Sequence, residues 1–214
     1  MLEYRLLRGH AGILLIGDYT TLRCFHEAVH EVGSASPLVR SDDGPLMDLA
    51  YEIRRAFEQQ REIISAPQGY EEIGIRFGAK ILWPAIIVQQ RILRTSMAYF
   101  NSQPLHQAMT YALEHVLEHG LRDDFGDRAD GIIEKWRRID PGDPRVFEKL
   151  RSRIAICASW KRSERKRLLA QLLASLDHTY ESAYRFHVER GVRNLVDPTE
   201  VDRWDQYECP DPRW

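Results

Sequence analysis

The sequence predicts an α+β fold in which helix dominates, with a small antiparallel sheet (an N-terminal hairpin plus one further strand) packed on a helical body. Three observations predict it. Residues 2–8 alternate apolar and polar side chains, and a glycine-containing turn joins them to the short apolar run 13–16, as in a hairpin. A second alternating run sets Ile73, Ile75 and Phe77 against Glu72, Gly74 and Arg76 and supplies the further strand. From Pro84 onward the apolar residues recur at helical spacing.

Taken in order, Leu2, Tyr4 and Leu6 oppose Glu3 and Arg5 in the first strand. Gly9-His10-Ala11-Gly12 supplies the turn, and the continuous apolar run Ile13-Leu14-Leu15-Ile16 reads as a second, more buried strand. Asp18 is placed to cap a helix over Tyr19 to Val32, whose stripe is Leu22, Phe25, Val29 and Val32, with Gly33 as its stop. A polar loop leads to Pro45, which opens a second helix with Leu49, Ile53, Ala56 and Phe57 on one face. Pro84 to Phe100 is apolar on most sides and reads as a buried helix. Pro104 to His119 follows, ending at Gly120. Later helices fall at Asp127 to Arg138, Pro144 to Ser159 and Ser163 to Arg190. The expected organisation is one globular domain over 1–194 and an acidic, proline- and aromatic-containing tail over 195–214.

The chain has 214 residues, 43% of them apolar and 29% charged, enough apolar material for a sizeable core. A formal net charge of -2 argues against a general polyanion binder. No apolar run is long enough for a membrane span, and Met-Leu-Glu-Tyr-Arg at the start lacks the design of a secretory signal. Cys24, Cys157 and Cys209 are too few and too scattered for a disulfide framework. A cytoplasmic protein is the expectation.

One run is chemically pointed. His26-Glu27-Ala28-Val29-His30 places two imidazoles at i and i+4 on one helical face, where both can meet a single metal ion. Glu27 would stand beside the metal-bound water as general base. With Gly33, the run resembles the start of the zincin superfamily motif that metzincin proteases share. The resemblance implies a zinc-dependent hydrolase with His26 and His30 as ligands and Glu27 as the catalytic residue. It covers about eight residues. Where metzincins place a third ligand this chain has Ser36, so Asp48 or Glu52 from the next helix would have to serve. On the helical wheel His26 borders the apolar stripe, while Glu27 and His30 lie toward the opposite, solvated face.

A second pattern is the basic stretch 134–167, with twelve lysines and arginines against five acids. It carries no recognisable nucleic-acid module, and the acidic tail is a candidate to neutralise it. Nothing else suggests chemistry, since no phosphate-cradling glycine loop, nucleophile elbow or paired-cysteine spacing is present. The leading expectation is a non-catalytic interaction or structural protein with an unknown protein partner or self-association, no cofactor, no membrane and no nucleic acid. Zinc hydrolysis through His26, Glu27 and His30 is the alternative, and polyanion binding through 134–167 the second.

Overall fold

Strands β1 (Glu3–Leu6) and β2 (Gly12–Gly17) form the predicted antiparallel hairpin, with Glu3 opposite Ile16 and Leu6 opposite Ile13, in a computed structural model that describes residues 1–39, 44–66, 68–206 and 210–211. All six residues of β2 are buried, which explains its unbroken apolar run. Helices α1 (Tyr19–Ala35) and α2 (Pro45–Phe57) follow, then strands β3 (Glu62–Ile64) and β4 (Arg76–Leu82), and helices α3 (Trp83–Ser96) and α4 (Pro104–Phe125). Among the described residues five further helices follow: α5 (Ala129–Arg138), α6 (Pro144–Ser159), α7 (Arg162–Ala174), α8 (Tyr180–Glu189) and α9 (Pro198–Asp202). Helix dominates, as predicted. The chain folds into two compact units, each assembled from several stretches of sequence.

The first unit comprises Met1–Leu6, Ile13–Ile81 and Ile92–Gly120. Its sheet has four strands in the order β1-β2-β4-β3, with β3 and β4 antiparallel and Ile64 opposite Arg76. The further strand is therefore two strands, and it begins later than the alternation suggests. Residues 71–73 form a 3-10 turn that ends at Gly74, whose φ of 72° takes the chain out of extended geometry. Ile73 and Ile75 are left exposed in consequence. Asp18 caps α1, its Oδ1 accepting the Thr21 N–H at 2.8 Å. Leu22, Phe25, Val29 and Val32 are all buried, as the stripe requires. Gly33 does not stop this helix. It lies within α1, where an added Cβ would come 2.8 Å from Met47 Cε of α2, so the glycine permits a close crossing of the two helices. Gly120 likewise falls inside α4 rather than ending it.

The second unit comprises Leu7–Gly12, Leu82–Arg91 and Leu121–Trp214. The predicted long helix from Ser163 to Arg190 is broken into α7 and α8 at 175–179. Local side-chain bonds make the break, because Asp177 Oδ1 accepts both the N–H and the hydroxyl of Thr179 at 2.7 Å. Ile156, Cys157, Trp160, Leu172, Val196 and Val201 form one apolar cluster, with Leu168 and Trp204 against it. The described part of the 195–214 segment thus packs into this unit. Two of the twelve cations of 134–167 are interior. Arg153 bonds Ser152, Ser175 and Asp202. Arg165 donates to the carbonyls of Cys157 and Ala158 at 2.8 and 2.7 Å. Among the described residues no helix is long and apolar enough to cross a membrane.

Candidate functional site

The α1 spacing does bring His26 and His30 together, with ring centroids 4.6 Å apart. His26 is half-buried, its ring edge-on to Phe57 at 5.7 Å. Burial is the main reason its proton affinity is lowered, and the neighbouring charges of His30 and Arg54 add to it. Glu27 and His30 are exposed, on the solvated side where the helical wheel puts them. Glu27 is held at 3.0 Å by Arg23, one turn back on the same helix.

The two candidate third ligands lie on α2. Asp48 is exposed in its first turn. Glu52 accepts two hydrogen bonds from Arg61, at 2.7 and 2.8 Å, so both of its oxygens are already bound to a guanidinium. Among the described residues no group of three or more His, Cys, Asp or Glu side chains is placed to hold a metal ion. The motif's spacing therefore yields an adjacent imidazole pair on a half-open helical face.

A different carboxylate on α1 meets a histidine. Glu31 Oε2 lies 2.7 Å from Nε2 of the buried His106, whose Nδ1 accepts the Gln103 N–H at 3.2 Å. That acceptance places the ring proton on Nε2, donated to Glu31. His30, Glu31 and His106 share an open cleft of about 420 Å³. Sequence reasoning missed His106, since nothing local marks a partner 75 positions away.

The larger concavity belongs to the second unit. It is a cavity of about 640 Å³ built by the end of α5, the start of α6, the end of α7 and the inner face of α8. Leu173 and Leu176 give it an apolar side, and Tyr180 and Tyr184 an aromatic one. Its walls are fixed by hydrogen bonds. The Tyr180 hydroxyl donates to Val196 O at 2.9 Å and accepts the Val196 N–H at 3.1 Å. Burial pushes the Tyr180 phenol up, so it stays neutral. Asp143 caps α6, and the Arg145 side chain beside it holds its carboxyl below the ordinary range. The Thr179 hydroxyl, then the Thr179 N–H, do the same for Asp177. No feature of the sequence pointed here, because the lining comes from four helices whose individual patterns are ordinary.

A family model described as a domain of unknown function matches residues 2–193, nearly the whole chain. The chain belongs to the DUF6904 family. No curated protein and no solved structure matches it. Membership in DUF6904 carries no activity with it, so the function has to be argued from the side chains.

Proposed function

We propose that this chain is a non-catalytic binding protein whose recognition site is the cavity between α5, α6, α7 and α8. The observation that carries the reading is the cavity itself. At about 640 Å³ it falls in the range of pockets that hold small ligands, roughly 300–1,000 Å³. Its walls are fastened before any ligand arrives, by the caps at Asp143 and Asp177 and by the Tyr180–Val196 pair. Such preorganisation lowers the entropy lost on binding.

The chemistry of the lining favours binding over catalysis. Among the described residues no serine or cysteine lines the cavity, and the Thr179 hydroxyl is already donated to Asp177. His178, exposed at the wall, lies 3.7 Å from Asp143 and from Asp177, so it faces two carboxylates and no hydroxyl or thiol.

A fluorescence titration with 1-aminoanthracene, a neutral cavity dye, tests the reading. Wild-type protein should enhance the dye at about one equivalent. Ala183→Trp, which puts an indole into the cavity from α8, should abolish the enhancement without loss of the helical signal. A wild type that fails to bind the dye, or a filled variant that binds it equally well, overturns the proposal.

A further inference from the structure

Resting on the cavity as the recognition site, we infer that its ligand is an organic anion with an apolar body, and that Lys135 holds the anionic head group. Each of the three carboxylates of the wall has one oxygen bound within its own turn. Asp140 Oδ1 accepts the Gly142 N–H at 2.9 Å. Asp143 Oδ1 takes both the N–H and the Nε of Arg145 at 3.0 Å. Asp177 Oδ1 takes the two Thr179 donors. These acids shape the turns between helices, and Arg145 gives its Nε to Asp143.

The cations of α5 are in a different position. Lys135 Nζ has Glu134 as its nearest carboxylate, at 3.8 Å, which is too far for a hydrogen bond, and its side chain is 30% exposed. The wall therefore contains a half-buried ammonium with three donors and no acceptor in reach among the described residues. Arg138 follows at i+3, on the same helical face, and gives one nitrogen to Glu134 at 2.9 Å. Both residues line the cavity.

The rest of the same lining includes apolar and aromatic side chains: Leu173, Leu176, Tyr180, Tyr184, Val192 and Leu195. An ammonium that makes no hydrogen bond to a described carboxylate, in a lining that also carries apolar and aromatic side chains, fits a ligand of matching polarity. A carboxylate or phosphate head would take the Lys135 donors in charge-assisted hydrogen bonds, and an alkyl or aryl body would cover the leucines and tyrosine rings. A neutral ligand of the same shape would leave the ammonium only water and its 3.8 Å ion pair with Glu134.

Displacement of bound 1-aminoanthracene tests this with three probes of equal chain length: decanoate, decyl phosphate and 1-decanol. At least one of the two anions should displace the dye about tenfold more tightly than the alcohol, since only a charged head satisfies Lys135. Lys135→Met, with Lys135→Gln as a second variant, should remove that preference and leave 1-decanol unchanged. Arg138→Gln should weaken the anions by a smaller factor. Which anion binds better distinguishes a carboxylate ligand from a phosphate one. If 1-decanol matches both anions in the wild type, or if neither Lys135 variant weakens them, the head-group assignment is wrong and the cavity reading stands. If the dye does not bind the wild type at all, the cavity reading fails and this inference with it.

Discussion

His26 sits between Phe57 and His30, and its lowered proton affinity has a definite consequence for pH dependence. The unfolded chain takes up this proton more readily than the folded one. The residue's contribution to stability is therefore complete above the unfolded pKa of about 6.5 and is lost as pH falls below it, toward the lower folded value. An NMR titration of the His26 ring should give a midpoint below 6.5. His30→Ala should raise that midpoint without restoring it fully, because burial is the larger cause. A midpoint above 6.5 in the wild type would contradict the placement. The same residues test the hydrolase alternative. With Glu52 bound by Arg61, purified protein should carry well under one equivalent of zinc, and His26→Ala should move stability by no more than about 1 kcal/mol. Stoichiometric zinc that disappears in His26→Ala would instead favour a metal centre on α1.

Two glycines show how elements meet in the first unit, and they should respond differently to a methyl group. Gly33 faces the far end of Met47, a flexible side chain that can turn aside, and alanine is the better helix former by about 1 kcal/mol. Gly33→Ala should leave stability within about 1 kcal/mol of wild type. Gly78 on β4 faces the branched end of buried Leu14 on β2, with Cδ1 at 2.8 Å and Cγ at 2.9 Å from an added Cβ. Gly78→Ala should cost about 1–3 kcal/mol, as overpacking a core does. Equal effects in urea denaturation would mean that one of the two contacts is misplaced. At this scale much of the fold was legible. The hairpin, α1 and α2 could be read because each joins a period to a cap or turn residue: Asp18 for α1, Pro45 for α2. Failures came where one residue type serves two purposes. Gly33 looks like a helix stop and is a crossing point, and Gly74 sits inside an apparent strand alternation that its positive φ interrupts. Strand β3 has three residues, too few to leave a period.

Contacts between distant parts of the chain decide the sites, and these were not legible. The imidazole pair could be read because i and i+4 fix it, but Glu31 with His106, Lys135 beside the cavity and Arg153 with Asp202 depend on the packed structure. The Arg153–Asp202 pair gives the described residues 196–204 a structural role. Arg153 is fully buried, and Asp202 is its acidic partner from α9. Asp202→Ala should destabilise by about 1.5–3 kcal/mol, the range for losing a hydrogen bond to a charged group. Truncation after Asn194 should cost more, because it also removes buried Val196 and Val201. If either change left the melting temperature untouched, this segment would not be part of the unit. The binding proposal is tested most directly by a 1H–15N NMR titration with 1-aminoanthracene. Saturable shifts should concentrate on the amides of residues 173–184 and 135–146, with those of His26 and His30 unmoved. Shifts centred on α1, or none on the walls between α5 and α8, would contradict the proposal.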